Sequence, residues 1–331
     1  MGSCVEPIYY SKIRLGLSGF LTYMKKTFLT FLKGMAMGAA DIVPGVSGGT
    51  VAFITGVYED LLAGIKNLGG PAWYTLKKRG FKAFWQQSRM PILLPLIIGI
   101  GFSIATLSRI IQFALNEYGL FTWSFFFGLI IASAFLVFKK IENPTPAVWL
   151  FFSAGLILAL EITRSAPVSI PEGTIYIFIS GFVAISAMIL PGISGSFILL
   201  LLGKYDIILQ AVTSLELGVL VVFAMGCVVG LITMANILSW LLQRFHDQAV
   251  GLLSGFMVGA LYKVWPWKKV IETRINSKGI EVPFIEKSIW PGQMESDPMV
   301  MGCVLFFVAG IILVVSIEWI ARKSKPNRLE D

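Results

Sequence analysis

Long apolar runs dominate this amino-acid sequence. Leu215–Leu242 carries one charged residue, Glu216, in 28 residues, and Met299–Ile317 carries none in 19. A membrane-spanning helix needs about 20 predominantly apolar residues. Charged residues make up only 14% of the 331 residues, against about 25% in soluble domains. The sequence therefore predicts an all-α integral membrane protein.

Eight apolar segments follow one another along the chain. Six are continuous: Pro91–Leu115, Leu120–Phe138, Pro146–Leu160, Leu215–Leu242, Ala249–Val264 and Met299–Ile320. The other two, Thr27–Ile65 and Thr174–Val212, are 39 residues long and are broken near the centre by Pro-Gly. Each broken segment fits either two full spans or one re-entrant hairpin of two half-helices. Their glycine density favours the hairpin.

The basic residues predict the orientation in the membrane, because Lys and Arg gather at cytoplasmic ends. Both flanks of Thr27–Ile65 are basic, so both are predicted to lie inside. Following the chain from there places 18 of the 27 Lys and Arg inside and 8 outside. Both termini are then cytoplasmic, and loop 265–298 is external.

The two broken segments repeat each other at an offset of 147 residues, as from Pro44 to Pro191. The other identical pairs are Gly34 and Gly181, Gly45 and Gly192, Ser47 and Ser194, Gly48 and Gly195, Gly56 and Gly203, and Tyr58 and Tyr205. Each half reads as a hairpin plus three spans. Because three crossings are an odd number, the second copy is predicted to be inverted, as in many secondary transporters. A duplication kept only for helix packing is the alternative.

This repeat predicts four regions of the chain. They are a basic cytoplasmic segment 1–26, a first repeat 27–160 with its hairpin at 27–65, a second repeat 161–320 with its hairpin at 174–212, and a basic cytoplasmic tail 321–331.

The Pro-Gly-x-Ser-Gly motif at each break predicts an anion site. Pro44 ends one half-helix, the following glycines permit unusual backbone angles, and Ser47 is a good N-cap for a helix resuming near Gly48. Helix N-termini present free N–H groups and partial positive charge to anions. The candidate phosphate ligands are Gly45, Ser47, Gly48, Gly49 and Thr50 in the first copy, and Gly192, Ser194, Gly195 and Ser196 in the second. A plain kink is the alternative.

Two acidic residues of the first hairpin are candidates for ion coupling. Asp41 lies three residues before Pro44, and an intramembrane carboxylate is a functional candidate by default. Its counterpart in the second copy is Met188, so Asp41 is not part of the symmetric scaffold. Asp41 could instead orient the glycine-rich turn or cap the resuming helix. Glu59 could handle protons or be solvated at the interface.

Arg109 is the other isolated charge within an apolar segment. An arginine grips phosphate with two N–H groups, although a side chain near a span's end can also reach the interface. The single histidine, His246, argues against a His-rich metal site. We expect no metal, no cofactor and no nucleic-acid partner, and a homo-oligomer remains open.

The two motifs resemble the signature of the bacterial polyprenyl-phosphate transporter family. The first runs from Gly34 through Asp41 and Pro44 to Thr50 and continues as Gly56-Val-Tyr-Glu59. The second is Leu190-Pro-Gly-Ile-Ser-Gly195 with Gly203-Lys-Tyr205. The similarity covers roughly residues 25–320.

The resemblance implies translocation of undecaprenyl phosphate, the lipid carrier of cell-wall precursors, back to the cytoplasmic leaflet with a proton or sodium gradient. The protein would then not be an enzyme. The residues by themselves indicate only an anionic substrate. A membrane undecaprenyl-diphosphate phosphatase, a small-anion transporter and a scaffold are the alternatives, but glycine follows both motif serines where phosphatase chemistry would want arginine.

Overall fold

The computed structural model describes residues 6–43, 46–165, 167–168, 170–171, 173–275 and 281–323. Pro44, Gly45 and the tail 324–331 lie outside the described residues. The first part of the chain forms α1 (Glu6–Ile42), α2 (Gly48–Ile54), α3 (Tyr58–Leu68), α4 (Pro71–Gln87), α5 (Met90–Glu117), α6 (Gly119–Phe138) and α7 (Pro146–Arg164). The second part forms α8 (Thr174–Ile189), α9 (Gly195–Leu201), α10 (Tyr205–Thr213), α11 (Leu217–Arg244), α12 (His246–Val264), β1 (Lys268–Ile275), β2 (Glu281–Ser288) and α13 (Val300–Lys323).

The predicted all-α membrane protein is confirmed. Among the described residues, α5, α6, α7, α11 and α13 are long and apolar enough to cross a membrane, and the bent pair α9 and α10 raises the number to 6 if it counts as one span. The predicted span Ala249–Val264 falls in α12, which does not pass that test. This helix begins with His246 and Asp247 and is buried along most of its length. Because it faces protein rather than lipid, it does not need the same apolarity.

The repeat seen in the sequence extends to the ends of the helices. α1 ends at Ile42 and α8 at Ile189, while α2 begins at Gly48 and α9 at Gly195, all at the same offset. The turns after α2 and α9 also match, with positive φ angles of 71° and 63° at Gly56 and Gly203. The predicted end of the first half-helix near Val43 and the restart near Gly48 are confirmed.

Small residues bring the first arm of each hairpin against the next long helix. Gly34 and Gly38 approach the backbone of α5 at Leu96 and Ile100, so α1 and α5 run parallel. In the second copy, Gly226 and Gly230 of α11 meet Phe178 and Phe182 of α8 in the same sense. Because α1 and α5 are parallel, the chain between them must return to the side of the bundle at which α1 begins. The same holds for the chain between α8 and α11. Re-entry within a bilayer stays a prediction.

The helices α6 and α12 occupy equivalent places in the two copies and run in opposite directions. Trp123, near the start of α6, lies under Lys268, just beyond the end of α12. At the other end, Asp247 of α12 accepts hydrogen bonds from the backbone of Glu142 and Asn143, just beyond α6. These directions favour the inversion of the second copy, which stays a prediction.

Three features outside the apolar segments were not predicted. The segment predicted as a separate region 1–26 is helical from Glu6 and continuous with the first hairpin arm, because no proline interrupts residues 8–43. A basic, aromatic helix, α4, follows the hairpin and bends at Gly80 (φ 77°). Loop 265–298 contains the antiparallel hairpin β1–β2.

Candidate functional site

The first break is closed by Ser47, the N-cap residue of α2. Its backbone is extended (φ −121°, ψ 132°) and its hydroxyl accepts a hydrogen bond from the Gly49 N–H at 3.1 Å. Ser47 is 0% exposed and all seven residues of α2 are buried. The predicted N-cap is therefore confirmed, and this half-helix lies wholly inside the protein.

Asp41 accepts a hydrogen bond from the backbone N–H group of Gly48, the first residue of α2. The Gly48 N–H donates to Asp41 Oδ1 at 2.7 Å. A helix N-terminus favours negative charge, and the Asp41 carboxyl group holds an N–H group that a bound anion could otherwise use. This is the capping role that the sequence left open as an alternative to ion coupling, and the two roles are compatible.

The two breaks meet each other. The Ser47 hydroxyl lies 3.1 Å from the Met188 carbonyl oxygen and 3.3 Å from that of Leu190, so it can donate to the C-terminal end of α8. The Tyr58 hydroxyl donates to the Ile189 carbonyl at 3.1 Å. The start of α2 and the end of α8 are thus joined by hydrogen bonds that are shielded from water, where they count for more than on the surface.

The second break has a similarly extended N-cap residue, Ser194 (φ −98°, ψ 132°), but no carboxylate. Gly192 has a φ of 95° and packs against α12, where an added Cβ would lie 3.0 Å from the Phe256 carbonyl oxygen. Ser194 is the N-cap residue of α9, yet no described side chain caps that helix. The Ser194 and Ser196 hydroxyls instead lie 2.8 Å from each other. Gly195 begins α9 beside Met188, the counterpart of Asp41.

A buried hydroxyl without a partner lies at the first break. Thr50 is 0% exposed, and its Oγ1 has no hydrogen-bond partner among the described residues. Ser103 Oγ on α5 is also buried without a hydrogen-bond partner among the described residues. The Ser103 side chain lies against Gly38, three residues before Asp41. A buried unpaired polar group costs about 1–3 kcal/mol, and a hydrogen bond to a ligand would remove that cost.

Arg109 lies at the depth of the first break. The parallel contact between Gly38 and Ser103 fixes the register of α1 and α5. Counting 1.5 Å per residue from the contacts of Gly38 with Ile100 and Ser103, Arg109 lies about 5–9 Å further along than Asp41. Its side chain is exposed on the outside of the bundle, as is that of Glu59 in the first turn of α3.

Two lysines at the other end of α2 were missed as site residues. Lys33 Nζ donates to the Thr55 carbonyl at 2.7 Å, and Lys140 Nζ to the Phe53 carbonyl at 3.3 Å. Cations complement the C-terminal end of a helix. The signal was present in the sequence, since Lys33 lies inside an apolar segment and Lys140 lies two residues after the end of another. That both lysines contact the C-terminal end of α2 can be seen only in the folded structure.

These features define the class of protein: a multi-pass α-helical membrane protein with two broken helical segments that meet in its interior. No group of His, Cys, Asp or Glu in the part of the chain described here could hold a metal ion. Residues 37–282 match the model of the undecaprenyl phosphate translocase-like family, and the chain belongs to that family.

Two curated relatives carry the name polyprenyl-phosphate transporter. The one from Vibrio cholerae serotype O1 is 43% identical over 298 residues, which is 89% of this chain and 97% of the relative. The one from Staphylococcus aureus is 32% identical over 257 residues, covering 72% of this chain and 86% of the relative. No solved structure gives a significant match.

Proposed function

We propose that this protein translocates undecaprenyl phosphate across the bacterial inner membrane and returns the carrier lipid to the cytoplasmic leaflet. It would do so as a transporter rather than an enzyme, with both termini in the cytoplasm. Family membership and the transporter names of the relatives support the substrate class. The observation that carries the proposal is the asymmetric pair of breaks, in which one helix N-terminus holds a carboxylate and the other holds none.

The phosphate would bind between the two breaks. Its proposed ligands are Gly45, Ser47, Gly48, Gly49 and Thr50 from the first motif, Gly192, Ser194, Gly195 and Ser196 from the second, and Arg109. The uncapped start of α9 and the adjacent serine hydroxyls supply donors that need no prior displacement. The unpaired Thr50 hydroxyl supplies another.

Asp41 would couple transport to an ion. While ionised, it holds the Gly48 N–H and repels a second anion from the start of α2. A proton or Na⁺ on the carboxylate would cancel that charge and free the N–H for the phosphate. The ion and the phosphate would then bind together, as coupled transport requires. Glu59, exposed at the first turn of α3, would pass ions to or from water.

Arg109 would receive the headgroup from the lipid phase. Its exposed side chain lies at the depth of the break, which suits a lipid whose tail stays outside the bundle while its phosphate enters. Substituting Arg109→Ala should weaken undecaprenyl phosphate binding by about tenfold, the effect of losing a charged hydrogen bond. Unchanged affinity would make Arg109 an interface anchor.

The testing experiment is leaflet exchange of undecaprenyl phosphate in vesicles that contain the purified protein, with and without a proton or sodium gradient. Exchange that is lost in Ser47→Ala/Ser194→Ala would support the site between the breaks. Absence of exchange under every gradient would contradict the proposal. Release of phosphate from undecaprenyl diphosphate would then indicate a phosphatase, and uptake of inorganic phosphate a small-anion transporter.

A further inference from the structure

A second cluster of charge lies away from the breaks, where the end of α12 meets the base of the β-hairpin. The carboxylate oxygen Glu286 Oε2 lies 3.4 Å from Lys263 Nζ and 3.6 Å from Lys268 Nζ. One carboxylate thus faces two ammonium groups, and the trio has a net charge of +1 when all three are ionised.

Lys268 is buried without using its hydrogen-bonding capacity. Its side chain is 7% exposed, and Nζ has no hydrogen-bond partner among the described residues. The ammonium lies 3.6 Å from the centre of the Trp123 ring on α6. The aromatic face attracts the cation but satisfies none of its N–H groups in the way an oxygen would.

The ion pairs in this cluster are also long. Charge-assisted N–H···O bonds are normally about 2.7–2.9 Å, well short of both distances to Glu286. Like Lys268, Lys263 contacts both Glu286 and an aromatic ring, since its Nζ lies 5.1 Å from the centre of the Phe197 ring on α9. Both lysines thus share the single oxygen Glu286 Oε2 at long distances, whereas a phosphate offers three terminal oxygens and more charge.

We infer that Lys263 and Lys268 form a second phosphate site, separate from the breaks, in which Glu286 stands in for a phosphomonoester and is displaced when one binds. The ligand chemistry is a terminal phosphate, carried by a lipid or free in solution. The site joins α12, α6 and α9 at the end of the bundle that the basic residues place outside. For a lipid ligand this inference rests on the proposed function, in which it would be the receiving site on the external side.

The charge state of Lys268 gives the site a pH dependence. Burial lowers the pKa of Lys268 to about 8, against the opposing effect of the Glu286 carboxylate, and Lys263 lowers it further. A phosphomonoester is already doubly charged above its second pKa of about 6. Phosphate affinity should therefore fall as the pH rises through about 8, because Lys268 loses its proton.

The experiment is a titration of the full-length protein in detergent with undecaprenyl phosphate and, separately, with inorganic phosphate, followed by tryptophan fluorescence. Trp123 reports on this site because it touches Lys268, and Trp123→Phe should remove the signal. Lys268→Met should weaken the apparent affinity by about tenfold or more and abolish its fall above pH 8. Glu286→Gln should strengthen affinity several-fold by removing the competing anion.

Matched controls stand beside these residues. Lys269 and Glu295 form an exposed pair at 3.0 Å, so Lys269→Met and Glu295→Gln change charge to the same extent without touching the site and should leave affinity unchanged. A response to the lipid alone would assign the site to a headgroup, and a response to both probes to phosphate itself.

Two results would overturn the inference. One is equal affinity in Lys268→Met and Lys269→Met; the other is no gain in Glu286→Gln, which decides the question even if Lys268→Met fails to fold. Because binding is measured without transport, this outcome is separate from that of the leaflet-exchange assay.

Discussion

The two breaks lie between helix ends at matching positions but differ in how their helix starts are satisfied. In the first, Asp41 and Ser47 occupy the Gly48 and Gly49 N–H groups. In the second, Met188 replaces the aspartate and the serine hydroxyl bonds to Ser196 instead. The helix ends on either side of the two breaks thus keep the same spacing, while only the first copy has a carboxyl group at its helix start. This difference is the basis of the proposal that the first copy responds to an ion and the second holds the phosphate.

The strongest test of this comparison is Asp41→Asn. Asparagine keeps an oxygen for the Gly48 N–H but cannot change its charge, so we expect the fold to survive and the gradient-driven part of transport to fall at least about tenfold. Leaflet exchange with and without an imposed gradient measures this. Asp60→Asn is the control, because Asp60 pairs with Arg89 at the surface. A gradient response as large as that of the wild type would remove Asp41 from coupling.

The reverse test makes the second break resemble the first. The Met188 Cβ lies 3.5 Å from the position of a Cβ on Gly195, so Met188→Asp should place a carboxylate at the start of α9. We expect undecaprenyl phosphate to bind about tenfold more weakly because it competes with that charge. Met188→Asn controls for polarity. If the Asp and Asn variants bind equally well, the start of α9 does not hold the phosphate.

Matched glycine substitutions should separate the breaks by stability. A Cβ on Gly48 would lie 2.5 Å from Asp41 Oδ2, whereas a Cβ on Gly195 would lie 3.1 Å from its nearest atom, the Ala184 carbonyl oxygen. Gly48→Ala should therefore cost about 2 kcal/mol more than Gly195→Ala, since it displaces a buried hydrogen-bonded carboxylate. Unfolding in sodium dodecyl sulfate gives both values. Equal costs would mean that Asp41 moves aside freely.

The smallest expected difference concerns the two N-cap serines. Ser47→Ala removes a cap and a hydrogen bond to α8, which should cost about 1–2 kcal/mol. Ser194→Ala removes only the contact with Ser196 and should cost about 0.5–1 kcal/mol, the net worth of one neutral hydrogen bond. The same unfolding assay compares them. A larger loss for Ser194→Ala would reveal a structural role that its contacts do not suggest.

Much of the fold could be predicted because membrane helices are set by local properties. Apolar run length located α5, α6, α7, α11 and α13, and proline with glycine located both breaks to within a residue or so. The start of α1 and the hairpin β1–β2 were missed. Nothing in apolar length distinguishes a helix that begins at Glu6 from a basic loop before Thr27, or a polar hairpin from an irregular segment.

The candidate site was only partly predictable. The sequence singled out Asp41, Ser47 and the equivalent Ser194, since a carboxylate or a repeated hydroxyl stands out in an apolar segment. Their partners did not stand out. That Ser47 meets the carbonyls of Met188 and Leu190, more than 140 residues away, depends on how the two hairpins pack.

The membrane class, the repeat and the positions of the two breaks follow from the amino-acid sequence, because apolar length, residue identity and proline geometry act within a few residues along the chain. Three further features follow only from the packing of the helices: the breaks meet, Asp41 holds the start of α2, and Lys263 and Lys268 share Glu286. Each of these is a contact between distant segments, and its energy depends on burial and partner geometry, which no local pattern records.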